Sequence, residues 1–368
     1  MTNRERECAT LNFQKLSGRG AVEETFYPWN LTMDRFCEDG LPTELWTGIR
    51  DREEQPWEKY LNGGFGDPVL KYESYMGFDS VYRVKFLLPH GGDSGLHANT
   101  HEEWAQVKAF AEKELAKWFT RENMEKAYGF LREGHDRGDY SIRMNIEGFF
   151  WIPRELMGVE EHLYAFYDEP ELLHEMNDFT LDVYKKYLRM ALEVIQPDLI
   201  YIQEDLSGKN GPMISPECFR EFVGDYYREL IPMLREMGCG NVFVDTDGDF
   251  KRLIPEFIEA GVDGFLPMDV NAGMDINEVR KEFPILKFVG GYNKLEINQG
   301  PDAIDREFER ILPVIRQGGY IPGADHQVAP AASLENYRYY IKRLHECMQE
   351  AGADINTETC DDQSGQQD

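Results

Sequence analysis

The sequence predicts an α/β fold, an eight-stranded barrel of parallel strands and surrounding helices with insertions in its N-terminal part. Three observations carry this. From about residue 140 onward short apolar segments alternate with amphipathic helices, with no return to hairpin spacing. The 368 residues, 42% hydrophobic, can bury a large core, long for a two-layer fold and ordinary for an elaborated barrel. Several of the apolar segments end in acidic residues, at the strand ends where such barrels collect functional side chains.

The first 140 residues hold Gly-rich and aromatic loops (60–65 and 89–95) and a helix from about Thr100 to Trp118, opened by Thr100 and Glu103 as a capping box. They are read as early barrel strands with insertions. Ser141 to Ile146 is a strand; Leu172 to Glu193 is helical, with Leu173, Met176, Phe179 and Val183 on one face. Asp198 to Gln203 forms the next strand and delivers Glu204 and Asp205. Ser215 is an N-cap followed by Pro216 in the first helical position. Asn241 to Gly248 reads as a buried strand built on Val242, Phe243 and Val244, ending in Asp245 and Asp247; Phe250, Leu253, Ile254, Phe257 and Ile258 then keep helical spacing. Further strands are Gly264 to Pro267, Ile285 to Val289 and Gly319 to Pro322, the last running into Asp325 and His326. Residues 1–352 are expected to form one domain, and the polar segment 353–368 a disordered tail.

The formal charge is -29, from 68 acidic and 39 basic residues spread along the chain, a field that repels nucleic acid and anionic membranes. No apolar run approaches the roughly 20 residues of a membrane span, and the first residues lack a signal-peptide core, so a cytoplasmic location is expected. The six cysteines include no C-x-x-C pair and are expected to be free thiols.

Asp245 and Asp247 are the leading candidates for chemistry. The competing role for Asp247 and Asp249 is helix capping, for which Asp245 lies too far upstream. Three strand ends, carrying Glu204 with Asp205, Asp245 with Asp247, and Asp325 with His326, would face one barrel opening. Phe149, Phe150 and Trp151 offer an aromatic wall over an aryl substrate, or simply core. His90, His97 and His101 match no standard metal spacing, and without a glycine-rich phosphate loop no nucleotide cofactor is expected.

In Thr2-Asn-Arg-Glu-Arg6, Glu38-Asp-Gly-Leu-Pro42, Glu169-Pro-Glu-Leu172, Ile214-Ser-Pro-Glu217, Glu259-Ala-Gly-Val-Asp263, Ala272-Gly-Met-Asp275, Gly290-Gly-Tyr292 and Gly318-Gly-Tyr320, taken in order, the chain resembles the uroporphyrinogen decarboxylase superfamily. That superfamily contains heme-pathway decarboxylases and corrinoid-dependent methyltransferases. The resemblance implies a TIM barrel with its site at the carboxyl ends of the strands. The arginine-rich Arg-Gln-Ala-Gly-Arg segment of the decarboxylases is missing; Gly18-Arg-Gly20 followed by Ala21-Val-Glu-Glu24 stands there. The His-x-Cys-Gly motif and later Cys of the zinc-dependent thiol-methylating branch are matched by Asp245-Thr-Asp-Gly248 and the region of Gly323 to His326. Glu204, Asp245, Asp247 and His326 thus become candidate ligands of zinc or another divalent metal, a harder site suited to an oxygen leaving group.

Three functions are expected in this order: a methyltransferase moving a methyl group from an O-methyl or related small molecule to a partner corrinoid protein, a decarboxylase of uroporphyrinogen or another acid, and a non-catalytic binding barrel. Asp245, Asp247, His326 and Glu204 are the expected catalytic residues, with Phe149, Phe150, Trp151, Asp205 and Tyr292 binding substrate. A homo-oligomer is compatible with the sequence.

Overall fold

The computed structural model describes residues 1–361 apart from 15, 17, 65, 93 and 94; the parts of the two early loops at Phe65, Asp93 and Ser94 lie outside the described residues. The described residues contain ten strands: β1 (Leu61–Asn62), β2 (Val81–Phe86), β3 (Ser141–Glu147), β4 (Leu199–Gln203), β5 (Ser207–Gly208), β6 (Gly211–Pro212), β7 (Asn241–Asp245), β8 (Gly264–Leu266), β9 (Lys287–Tyr292) and β10 (Tyr320–Ala324). Eight of them form one sheet in the order β1-β2-β3-β4-β7-β8-β9-β10, all parallel except the β1 edge, while β5 and β6 make a separate hairpin. Helices fill the crossovers, as parallel pairing demands: Trp151–Met157, Val159–Asp168 and Pro170–Val183 between β3 and β4, Asp225–Glu236 before β7, Pro301–Gln317 before β10. The result is a mixed α/β, TIM-barrel-like arrangement.

The ladder is linear, ending in β1 and β10. Residues 20–25, buried and outside any helix or strand, span the interval between β2 and β10. Asp79 donates its N–H to Val22 O (2.7 Å), Arg83 binds Glu24 O (2.6 Å), and the Ala324 N–H binds Glu24 Oε1 (2.8 Å). The largest apolar core lies between sheet and helices; a smaller cluster of Leu11, Ala21, Leu199, Phe243, Leu266, Val289 and Ile321 lies on the other face of the strands, with Phe26 and Tyr201 against it.

The N-terminal helix Asn3–Leu11, capped by Thr2 and Glu5, packs at the amino ends of the strands. Arg4 pairs with Asp198 (2.8 Å), Arg6 and Arg19 with Asp79 (2.7 Å each), and Glu7 with Arg143 of β3 (2.7 Å), which also binds Glu23. Burial raises both glutamates above their ordinary values, and Glu7 Oε2 and Glu23 Oε1 make no hydrogen bond among the described residues.

Where bounds differ from expectation, local chemistry explains it. The helix at 101 starts as predicted, with Thr100 Oγ1 accepting from Glu103 N, but Glu103 reaches back to Asn99 N rather than to Thr100. The strand expected at Ile285 begins two residues later, leaving Ile285 83% exposed in the turn after a helix. The helix beginning at Leu334 runs to Asp361, so the tail expected to be disordered from Ala353 starts within it; residues 362–368 lie outside the described residues. Cys8, Cys37, Cys218, Cys239 and Cys347 are free. Among the described residues no helix is long and apolar enough to cross a membrane.

Candidate functional site

The carboxyl ends of β4, β7 and β10 bring Asp205, Asp245, Asp247 and His326 to one end of the sheet. At the rim, His326 Nε2 lies 2.9 Å from Asp247 Oδ1, with the two side chains 28% and 47% exposed, so the end is open to solvent there. Burial pulls the imidazole down, but the Asp247 carboxylate outweighs it and holds His326 above its ordinary value. The ring of Phe26, from the segment after residue 25, stands 6.2 Å from the imidazole.

Asp247 N–H donates to Asp205 Oδ1 (3.3 Å), and Arg154 binds Asp205 O at 2.6 Å and its carboxylate at 3.8 Å. Asp205 adopts φ 44°, a left-handed conformation unfavourable for most L-residues but accessible to Asp, and of the kind that clusters at functional sites. The turn after Asp247 is equally constrained: Gly248 has φ +80°, and a Cβ there would lie 2.5 Å from Ser207 O of the β5–β6 hairpin.

Asp245 lies deeper. It pairs in register with Gln203 and Leu266, two residues beyond Phe243, which faces Tyr201; the strand period therefore puts Asp245 on the Tyr201 side of the sheet. Its carboxyl makes no hydrogen bond among the described residues. Burial raises it well above the carboxylate range, Asp205 and Asp247 push it further, and His326 opposes them. Tyr201 is raised by burial and then by Asp245. Next to Tyr201 is a small cavity lined by Thr25, Phe26, Arg83, Arg143, Leu199, Leu266 and Val289. Its arginines are already engaged: Arg83 by Glu73 (2.8 Å) and Tyr27 Oη (2.7 Å), Arg143 by Glu7 and Glu23.

The remaining sequence candidates are placed elsewhere. Glu204 is fully buried and its carboxylate accepts four hydrogen bonds, from Phe149 N (3.1 Å), Phe150 N (2.9 Å), Trp151 N (3.0 Å) and Tyr227 Oη (2.6 Å). It anchors the N-terminus of the helix Trp151–Met157 and has no acceptor site left for a ligand. Gly148 makes room for it, since a Cβ there would lie 2.0 Å from the Glu204 carboxyl carbon. Burial raises Glu204 to about 7 against these donors. Phe149 and Phe150 are 1% and 0% exposed, packed against Tyr226 and Tyr227 and against His162 and Phe166; what they present to the strand ends is backbone N–H. Trp151 stacks under Arg154, 4.4 Å from ring centre to Cζ. Tyr292 is buried between Phe308 and Tyr340, so it is a packing residue. Asp325 ties loops together, accepting from Val270 N and Lys294 N (3.1 Å each), and Asp249 caps the turn at Lys251 N (3.1 Å).

The residues fit a metal poorly. Among the described residues no group of three or more His, Cys, Asp or Glu side chains is arranged to hold an ion; Asp247 and His326 face each other, and Glu204 is saturated. Nothing in the local sequence pattern marks Tyr201, Arg154 or Phe26 as site residues. Arg83 and Arg143 had a legible signal, as charged residues at alternate positions of otherwise apolar strands.

With this geometry in place, comparison with known proteins fixes the family. The uroporphyrinogen decarboxylase (URO-D) family matches residues 137–347, more than half of the chain, and the chain belongs to that family. No curated protein matches it. Among solved structures it is similar to a methyltransferase from Methanosarcina mazei, with 16% identity, 94% of this chain and 99% of that one covered, and a TM-score of 0.63. A candidate vitamin-B12-independent methionine synthase from Listeria monocytogenes gives 10% identity, 93% and 98% coverage and a TM-score of 0.43.

Proposed function

We propose that the protein is a methyltransferase that takes a methyl group from a small methyl ether and passes it to the corrinoid of a partner protein, with Asp245 as the general acid. The single observation behind this is the Asp245 carboxyl, half-buried and without a hydrogen bond among the described residues, held well above its ordinary value by desolvation and by its two acidic neighbours. In the transfer the methyl carbon–oxygen bond breaks with both electrons going to oxygen, while the acceptor's electron pair forms the new bond to carbon. An alkoxide or phenoxide is a poor leaving group, and a proton from Asp245 to that oxygen turns it into a neutral hydroxyl. Asp205 and Asp247 keep the proton on Asp245 until the oxygen becomes more basic, and the exposed Asp247–His326 pair leaves the end open to a docking partner.

The decarboxylase alternative is weaker on charge. Uroporphyrinogen carries eight carboxylates and needs cationic anchors, whereas Arg83 and Arg143 are already engaged by Glu73, Glu7 and Glu23, and Arg19 is held at the amino ends of the strands by Asp79. The test is spectroscopic: purified protein, cob(I)alamin and methoxybenzene should yield methylcobalamin, and uroporphyrinogen should give no coproporphyrinogen. Formation of the latter without the former would reverse the assignment.

A further inference from the structure

Beside the acid–imidazole pair, the segment after Phe26 and the helix Thr43–Arg50 enclose a second pocket of about 140 Å³. Its lining is Tyr27, Pro28, Asn30, Met33, Trp46, Ile49, Tyr72 and Gln327. None of these side chains is charged, in a chain in which 29% of residues are. Three of the walls are aromatic and fixed. Tyr27 Oη is held by Arg83 and Glu73, its ring meets that of Tyr72 edge-on at 6.3 Å, and Trp46 Nε1 donates to Asp34 Oδ1 at 2.6 Å. The exposed side-chain amides of Asn30 and Gln327 make no hydrogen bond within the protein among the described residues. Gln327 follows His326 directly, and the loop they share is pinned to the pocket wall by Trp29 N to Val328 O (3.3 Å) and Thr32 Oγ1 to Val328 O (2.7 Å).

We infer that this pocket binds one neutral aromatic ring and is the subsite for the aryl portion of the methyl donor. Its volume is close to the roughly 150 Å³ at which an apolar cavity takes up benzene. Rigid aromatic walls provide stacking and edge contacts to a planar ring, and the free amides at the rim offer a donor and an acceptor to a ring substituent. Among the lining side chains a carboxylate finds no cation and an ammonium finds no anion. The role given to the ring rests on the methyl-transfer reading, but binding requires no turnover, so the two stand or fall separately.

The full-length protein is titrated with methoxybenzene, benzoate and benzyltrimethylammonium by calorimetry, and methyl NMR follows Met33 and Ile49. Methoxybenzene should bind most tightly and shift both methyl signals. Ile49→Trp and Met33→Phe, each of which fills the pocket from a lining residue, should each weaken it about tenfold or more while leaving benzoate unaffected. Absence of methyl shifts in the wild-type protein, undiminished binding in a folded filling variant, or equal affinity for benzoate would each overturn the inference. Methoxybenzene bound as expected but no methylcobalamin formed would leave the pocket and remove the reaction.

Discussion

Replacing Asp245 by Asn separates acid catalysis from every structural role of that carboxyl. The amide is nearly isosteric, so the strand pairing of β7 with β4 and β8 is kept, but it cannot deliver a proton. General acids contribute about 10²–10⁴-fold, or roughly 3–5.5 kcal/mol of barrier, and we expect a loss of that size in the rate of methylcobalamin formation. Stability should move the other way. The wild-type carboxyl makes no hydrogen bond among the described residues, and its charged form is opposed by burial, Asp205 and Asp247, so Asp245→Asn removes a source of destabilisation and the melting temperature should hold or rise. Because the acid works in its protonated form, the wild-type rate should fall as pH climbs through the raised pKa of Asp245, and the residual rate of the variant should lose that dependence. Stopped-flow absorbance across pH, with parallel thermal melts, measures both quantities. A variant that keeps the wild-type rate, or a wild-type rate that increases over the same pH range, would refute the assignment of Asp245.

Three further expectations concern the scaffold. Glu204→Ala strands three backbone N–H groups and the Tyr227 hydroxyl without their acceptor and should cost about 3–5 kcal/mol in urea unfolding; a loss below about 1 kcal/mol would mean that Glu204 is not the anchor of its helix. Arg143→Met leaves Glu7 and Glu23 buried without their cation and should destabilise by about 3–5 kcal/mol, with the added changes Glu7→Leu and Glu23→Leu recovering much of it, as double- and triple-mutant denaturation would show. Glu24 and Glu204 are both raised by burial from 4.5 to about 7; the folded state therefore holds extra protons between those values, and stability should decrease as pH rises from about 4.5 to 7. Urea midpoints that increase across this window would contradict the direction.

Much of the strand–helix alternation was legible because apolar runs such as Val242 to Val244 and Leu199 to Ile202 are bounded by turn residues and followed by helical spacing. The same reading placed Asp245, Asp247 and His326 at strand ends, and the structure brings these three together with Asp205. What periodicity could not supply was the direction of each side chain beyond the last paired residue. Glu204 and Asp205 are adjacent, yet one turns into the helix Trp151–Met157 and the other, at positive φ, toward Asp247. Phe149 and Phe150 follow a strand as a substrate wall would, but the helix beginning at Trp151 turns their rings into the outer core. The course of segment 20–25 is not legible because it is fixed by partners some 60 and 300 positions away, through Arg83 and Ala324, and no local pattern encodes a contact of that range.

That same segment determines when the molecule can be completed. Glu24 receives hydrogen bonds from Ala324 N and from the hydroxyl of Tyr337, 300 and 313 positions later, and Gly20 N–H binds Met348 O. Loop closure over such distances is slow, and domains rich in distant contacts fold late. On the ribosome, where synthesis runs at about 5–20 residues per second, the N-terminal segment must wait tens of seconds for its last partners to emerge, with Glu24 lacking Ala324 and Tyr337 throughout. A nascent chain stalled before Ala324 would therefore hold a stack of strands with one side still unfinished, the state in which an unpaired edge is most readily captured by another chain or by a chaperone.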